Sequence, residues 1–359
     1  MKQILNVNIN NYKIEISDNK LEKLKSDIDE LTAGKKRLIV ISKKVHSLYK
    51  NYFSFNKDEI LILPDGEKEK NYKNFIKIQE KAYQLGLTRQ DMLIAIGGGV
   101  VGDITGFAAS TFMRGIDYIQ VPTTLLSMVD SSVGGKTAID IKNGKNIIGT
   151  FYQPKAVFVN INFLKTLSSK ELKSGLGEIL KYAFIEDSCG YEKSIFFFEY
   201  LSLCYEKFYE LEAVTLIRMI DYCLKLKIAV VEADEKEASL RKILNLGHTL
   251  AHALESITNY TRYTHGEAVI YGILFALNTA YKKGLITYSY YRLSMELLEK
   301  YNIKNISEYK KFSPKKIVDA MKKDKKSAAN RIVLILPCAK KMVKEFSFSE
   351  QEVYELLKG

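Results

Sequence analysis

No stretch of this sequence is long and apolar enough to cross a bilayer, because basic or polar residues interrupt every candidate run. The residues from Met1 to Asn11 lack the basic start, apolar stretch and small-residue cleavage site of a secretory leader. Cysteine is sparse: Cys189, Cys204, Cys223 and Cys338 are scattered with no CxxC pairing. That spacing suits neither a thiolate metal site nor a disulfide framework. Neither an internal repeat nor a low-complexity linker is present. These absences predict a soluble, cytoplasmic protein with reduced thiols and no membrane partner.

Acidic residues are outnumbered, 42 Asp and Glu against 54 Lys and Arg, for a formal charge of +12. Such an excess raises nucleic acid as a partner. The lysines, however, are spread along the chain and mixed with acids, and no basic tract is interleaved with aromatics. No nucleic-acid partner is expected. A small, multiply anionic ligand would need only a handful of these cations.

With 359 residues, 47% of them hydrophobic, the chain can bury a large core, and two domains are expected. Residues 37–42, 59–63, 91–96, 118–121 and 157–161 are short runs rich in Ile, Leu and Val, bounded by turn residues, and predict buried strands. Residues 71–85 have helical spacing and stop before Gly86. Strands alternating with helices predict an α/β domain over residues 1–167, with a mostly parallel sheet and helices on both faces. From Ser168 the pattern changes. Ser168-Ser169-Lys170-Glu171 is a capping-box string, and helical periodicity then covers residues 205–232, 247–257, 267–283, 288–301 and 314–323. One strand is expected there, at residues 331–336. The second domain, 168–359, is therefore mainly α-helical, and a cleft at the boundary is a common place for a ligand.

Gly97-Gly98-Gly99-Val100-Val101-Gly102-Asp103 follows a predicted strand and opens a predicted helix. Glycines there let the backbone approach a pyrophosphate, and a helix N-terminus offers free N–H groups. The spacing is not GxGxxG, and a tight strand-to-helix turn with no ligand would also account for it. Val121-Pro122-Thr123-Thr124 and Pro64-Asp65-Gly66-Glu67-Lys68-Glu69-Lys70 follow two further strands. Loops at strand C-termini form the crevice where open α/β sheets bind ligands.

Histidine, like cysteine, numbers four in all, but here all except His46 lie between positions 248 and 265. His46 is flanked by charge and reads as surface. His248 and His252, four apart, share a helix face and could hold one metal. Alternatively His248 and His265 join a carboxylate, with Glu178 in Gly177-Glu178-Ile179-Leu180-Lys181 as the best candidate, and His252 is left for acid–base work. Spacing does not decide between these, nor does it exclude histidines with no metal. Gly134-Gly135-Lys136-Thr137 lacks the full spacing of a nucleoside-triphosphate loop, so ATP is not expected, although lysine beside glycine-rich backbone suits a phosphate. Asn143-Gly144 is a hairpin-turn pair that would present Lys145 and Asn146.

Together these strings resemble the 3-dehydroquinate synthase family of the sugar phosphate cyclases. The resemblance runs from about Asp65 to Leu336, through GGGVVGD, Phe112-Met113-Arg114-Gly115, VPTTLLSMVDSSVGGKTAID, GKNIIGTFYQP, GLGEILKYA, LNLGHTLAHALE and HGEAV. It implies a dehydroquinate synthase-like fold, with a Rossmann-like first domain followed by a helical one. It also implies NAD and Zn²⁺, with Co²⁺ as an alternative ion, and a homodimer. By position, Glu178, His248 and His265 match the zinc ligands, and His252 matches a residue that assists proton movement. Asp65, Gly66, Glu67, Lys68, Glu69, Lys70, Gly99, Val100, Val101, Gly102, Asp103, Thr123, Thr124, Phe163, Leu164, Lys165 and Thr166 match NAD contacts. Lys136 and Lys145 are expected where cofactor and substrate meet. Arg114, Asp130, Asn146, Lys181, Lys227, Glu237, Arg241, Asn245 and Lys325 (or Lys326) match positions around the substrate.

The chain departs from the family at Ser42, where an aspartate is frequent, and at Ser168, where proline is frequent. The implied reaction converts 3-deoxy-D-arabino-heptulosonate 7-phosphate to 3-dehydroquinate and phosphate. That sugar-acid phosphate carries both a carboxylate and a phosphate, which would explain the recruitment of so many cations.

Overall fold

The computed structural model describes residues 1–142, 144–192, 196–303, 308–324 and 331–359. Two compact units divide the chain. The first comprises Met1–Ser168 with Ala213–Ile228, and the second Ser169–Glu212 with Ala229–Gly359.

The first unit alternates strands and helices: β1 (Lys2–Val7), β2 (Tyr12–Ser17), α1 (Leu21–Leu31), β3 (Arg37–Ser42), α2 (Lys43–Tyr49), β4 (Ile60–Leu63), α3 (Tyr72–Gln84), β5 (Met92–Gly97), α4 (Gly99–Thr111), β6 (Asp117–Pro122), β7 (Lys136–Ile141), β8 (Gly144–Phe151) and β9 (Ala156–Asn160). Seven strands form one sheet in the order β1-β2-β9-β6-β5-β3-β4. Every neighbouring pair is parallel except the edge hairpin β1–β2. Every residue of β5 is buried, as a central strand covered on both faces requires, which is why its apolar run is unbroken. On one face Leu38, Val40, Leu93 and Ala95 pack with Ile78, Ile104 and Phe107 of α3 and α4.

From β9 to the far edge the order is β9-β6-β5-β3-β4, so successive connections run in opposite directions on either side of the β3–β5 pair. That is a topological switch point, where open sheets bind ligands beyond the strand C-termini. β7 and β8 form a separate antiparallel hairpin, consistent with the turn expected near Asn143, a residue outside those described. Strands β1, β2, β7 and β8 carry too much polar or mixed sequence to stand out by hydrophobicity.

The second unit contains α5 (Ser169–Ile185), α6 (Phe197–Tyr209), the last turns of α7 (Ala213–Ala233), α8 (His248–Ile257), α9 (His265–Lys282), α10 (Tyr288–Lys300), α11 (Pro314–Asp324), β10 (Arg331–Ala339), β11 (Met342–Ser349) and α12 (Glu350–Lys358). The helical run expected over 205–232 is two helices, broken where Leu211 adopts φ +54°. The single expected strand, β10, pairs antiparallel with β11, whose Lys344 and Glu345 interrupt the apolar alternation.

Asp91 ties the entry of β5 to its surroundings. Its carboxylate accepts from the Lys36 N–H (2.8 Å), the Thr88 N–H (2.6 Å) and the Thr88 hydroxyl (2.9 Å). Burial alone would raise this carboxyl, but those donors outweigh it and hold it below its ordinary value. A depressed folded value adds stability that is present above the unfolded pKa, about 3.9, and is lost as pH falls through the folded value. Asp91→Asn is therefore expected to lower unfolding free energy at pH 7 by about 1–3 kcal/mol. The gap to the parent chain should shrink below about pH 4, as read by urea titration at both pH values.

Candidate active site

Three helices of the second unit meet at glycines. A Cβ on Gly177 of α5 would lie 2.3 Å from the Gly266 carbonyl oxygen of α9, and one on Gly266 would lie 1.7 Å from the Ser174 carbonyl oxygen. Gly247, which precedes α8 at φ +79°, faces Gly272 of α9 in the same way, and a Cβ on Gly272 would lie 1.9 Å from the Gly247 carbonyl oxygen. No side chain fits at either crossing. The residue after Gly177 is Glu178, the residue after Gly247 is His248, and the residue before Gly266 is His265. The close approaches thus bring these three side chains together.

The Glu178 carboxylate is 1% exposed. Its Oε1 lies 3.5 Å from His248 Nε2 and 3.4 Å from His265 Nε2, and the three ligand atoms all fall within 4.8 Å of one another. A tetrahedral zinc with bonds of about 2.0–2.1 Å has ligand–ligand edges of about 3.3 Å, so the spacing and the N, N, O donor set both fit such an ion. The outer nitrogens are engaged as well. His248 Nδ1 lies 3.1 Å from the Leu246 carbonyl oxygen, and His265 Nδ1 lies 3.4 Å from Glu255 Oε1. Such partners fix the tautomer that leaves Nε2 free for a metal.

The Lys181 ammonium pairs with Glu178 one turn along α5. Burial pushes the His248 imidazole down to about 3. Burial also opposes charge on His265, but hydrogen bonds to Glu178 and Glu255 outweigh it and hold that ring up at about 10. The His252 ring centroid lies 5.6 Å from that of His248 and 6.1 Å from that of His265. A second potential ligand group, His252, Glu255 and His265, shares the last of these residues.

In the first unit, β4, β5 and β6 end at one edge of the sheet. Gly98 and Gly99 open α4 with no side-chain cap, so its first N–H groups are available to an anion. Gly102 lets α4 sit against β6, since a Cβ there would lie 2.7 Å from Gln120 Oε1. Thr123 donates its N–H to the Gly97 carbonyl (2.9 Å), and Thr124 Oγ1 lies 2.9 Å from Ser127 Oγ. The Asp65 carboxylate accepts from the Lys44 N–H (3.0 Å), just after β3, while Ser42 caps α2 by accepting from the Val45 N–H (3.2 Å). Gly66 stands at φ +106°, and Glu69 accepts from Asn74 Nδ2 (2.7 Å).

The buried Lys70 ammonium joins Asp103 Oδ2 (2.5 Å) and Asn146 Oδ1, and Lys145 lies 3.4 Å from Glu67. Asn146, at φ +55°, is held by the Asp140 carboxylate, which accepts its N–H at 2.7 Å. Lys227 pairs with Asp130 at 3.0 Å. Lys136 is exposed at the start of β7. Phe163 and Leu164 are buried, Lys165 is exposed, and Thr166 Oγ1 meets Tyr49 OH at 2.6 Å. Arg114 is exposed at φ +70°.

The loop after α7 carries Glu237, Arg241 and Asn245. Asn245 Nδ2 donates to Glu237 Oε1 (2.8 Å), and the Arg241 guanidinium, buried to 1%, donates to the Glu235 carbonyl.

Sequence comparison now bears on this arrangement. The profile of the 3-dehydroquinate synthase N-terminal domain matches residues 60–174, and that of the C-terminal domain matches residues 175–327. A 3-dehydroquinate synthase of Alkaliphilus metalliredigens is 41% identical over 361 aligned residues, 99% of this chain and 98% of that one. This chain belongs to the 3-dehydroquinate synthase family. A second family member, from Dictyoglomus turgidum, is 44% identical over 82% of this chain and 80% of its own. The fold is similar to that of a 2-epi-5-epi-valiolone synthase from Streptomyces hygroscopicus subsp. jinggangensis, solved with NAD⁺ and Zn²⁺ bound. Its TM-score is 0.82 at 22% identity, over 97% of this chain and 96% of that one.

Within this member of the 3-dehydroquinate synthase family, two residues not singled out by sequence pattern touch candidate site groups. Glu255 sits three positions after His252 on α8 and meets His265, and that i, i+3 spacing was the available signal. Asp140 holds Asn146 across a hairpin, a pairing with no local sequence signature. Lys325 and Lys326 lie outside the described residues. The glycine crossings generate a test. Gly272→Ala, seven positions beyond His265, is expected to push α8 from α9 and reduce zinc stoichiometry by more than half, measured by elemental analysis after gel filtration. Full zinc retention would contradict the role given to that crossing.

Proposed function

We propose that this chain is a 3-dehydroquinate synthase that converts 3-deoxy-D-arabino-heptulosonate 7-phosphate to 3-dehydroquinate and phosphate, using NAD⁺ and zinc, with cobalt as an alternative ion. The observation that carries the reading is the buried Glu178, His248 and His265 cluster at metal-ligand spacing, in a chain 41% identical to a 3-dehydroquinate synthase along nearly its whole length. The NAD⁺ and Zn²⁺ of the valiolone synthase structure support the cofactor assignment. A cytoplasmic homodimer belongs to the same reading.

When bound, the metal supplies Lewis acidity at a substrate hydroxyl, and NAD⁺ supplies a hydride acceptor that is restored within each turnover. The remaining tasks fall to side chains. Glu178, His248 and His265 hold the metal, with Glu255 and the Leu246 carbonyl orienting the two rings. His252 moves a proton at the substrate hydroxyl.

The turn from Asp65 to Lys70, the start of α4 from Gly99 to Asp103, Thr123, Thr124, Lys145 and the segment 163–166 bind the dinucleotide. Lys136, Arg114 and Asn146 bind the substrate phosphate, and Arg241 and Lys227 bind its carboxylate, as planar and point-charge cations suited to anions. Asp130, Lys181, Glu237, Asn245 and Lys325 complete the surround. With the hydroxyl transiently oxidised, the neighbouring carbon would lose its proton to the substrate phosphate as that group leaves, and return of the same hydride would reduce the ketone to the alcohol again before the ring opens. Ring opening and intramolecular aldol closure follow, with the side chains limiting the conformers available.

Phosphate release from the heptulosonate phosphate with NAD⁺ present, abolished by a chelator and restored by zinc, is the expected outcome. Net accumulation of NADH would contradict it. Arg241→Ala is expected to lower kcat/KM by about 100-fold or more, as loss of a charged hydrogen-bonding partner implies, while NAD⁺ affinity measured by calorimetry stays unchanged.

A further inference from the structure

Asp234 stands at the C-terminal end of α7, where its own N–H donates to the Val230 carbonyl at 3.0 Å. An anion is disfavoured beside a helix C-terminus, so a carboxylate here calls for a compensating set of donors. The loop that follows provides them. Asp234 Oδ1 accepts from the Ala238 N–H (2.9 Å), and Oδ2 accepts from the Ser239 N–H (2.7 Å) and the Arg241 N–H (3.0 Å). One side chain thus gathers three backbone donors from the next seven residues. The Arg241 and Ser239 N–H groups in particular hold its carboxyl below the ordinary value.

The enclosed turn contains Glu237 at φ +59°, a conformation that costs a non-glycine residue and persists only when its surroundings enforce it. Two further bonds brace the turn: the Arg241 guanidinium to the Glu235 carbonyl, and Asn245 Nδ2 to Glu237 Oε1 (2.8 Å).

We infer that Asp234 is a positioning residue that fixes the loop bearing Glu237, Arg241 and Asn245, and so holds the Arg241 guanidinium where it meets the substrate's carboxylate. The inference rests on the function proposed above, which gives those three residues contact with the substrate. Among the described residues the hydrogen bonds of the Asp234 carboxylate all come from backbone N–H groups, and its effect passes through the loop. Asparagine at this position keeps the shape and one oxygen acceptor but turns an NH₂ group toward backbone donors, so it should fall between aspartate and alanine.

The test compares Asp234→Ala, Asp234→Asn and Arg241→Ala with the parent enzyme, loaded with zinc and NAD⁺. The readouts are KM for the heptulosonate phosphate, NAD⁺ affinity, zinc content, and hydrogen exchange at the Ala238, Ser239 and Arg241 amides. Asp234→Ala is expected to raise KM about 10- to 100-fold, the scale of a small misplacement of binding groups. Asp234→Asn should raise it less. Both should accelerate exchange at the three amides, while NAD⁺ affinity and zinc content stay at parent values.

Unchanged KM in Asp234→Ala, where Arg241→Ala loses turnover, would overturn the inference. So would a loss of zinc and of NAD⁺ affinity alongside the rise in KM, since that marks general collapse. Absence of phosphate release by the parent enzyme would instead sink the function. In that case exchange still decides the bracing, and unaltered exchange in both Asp234 variants would overturn it.

Discussion

A carboxylate removed almost wholly from water is the constraint around which the second unit is arranged. An ionised group so placed is tolerated only if charge and hydrogen bonds replace its hydration. Glu178 meets that condition with the ammonium of Lys181 and the imidazoles of His248 and His265. Lys181 comes from the same helix, one turn on, whereas the imidazoles come from two other helices. The carboxylate therefore links three segments that are distant in sequence, and Glu255 and the Leu246 carbonyl aim the rings at it.

The geometry of that cluster is set by backbone. Where Gly177 meets Gly266, and Gly247 meets Gly272, the helices approach closer than any side chain allows. Packing against this backbone leaves few alternative positions for the adjoining ligands, since interiors are dense and do not deform smoothly. The first unit relies on a different device. Its parallel strands deliver several loops to one edge of the sheet, at the point where the strand order reverses. Lys70 and Asp140 then tie the β4 loop, the first turn of α4 and the β7–β8 hairpin into one polar network.

Legibility in the sequence followed physical rules that differ by element. The buried parallel strands were plain, because a strand covered on both faces must be apolar along its buried length, as β5 and residues 38–41 of β3 are. Edge and hairpin strands were not, because they meet water: β11 exposes Lys344 and Glu345, and β8 is exposed along most of its length. The break between α6 and α7 escaped notice because Leu211, a residue with no turn preference, makes it. Spacing could not decide between His248 paired with His252 and His248 paired with His265. The family resemblance points to His248 with His265, and the meeting of α5, α8 and α9 sets both of these within 3.5 Å of Glu178. Residues that hold others in place, such as Glu255, Asp140 and Asp234, bind backbone or a neighbouring side chain. Apart from the spacing of Glu255 from His252, their patterns carry no chemical signature until the fold is known.

Zinc K-edge X-ray absorption on the purified protein tests the central assignment most directly. The account predicts a first shell of nitrogen and oxygen at about 2.0–2.1 Å with the multiple scattering of two imidazoles and no sulfur, and a changed spectrum or lost metal in Glu178→Ala. A sulfur scatterer at about 2.3 Å, or an identical spectrum at full occupancy in that variant, would contradict it.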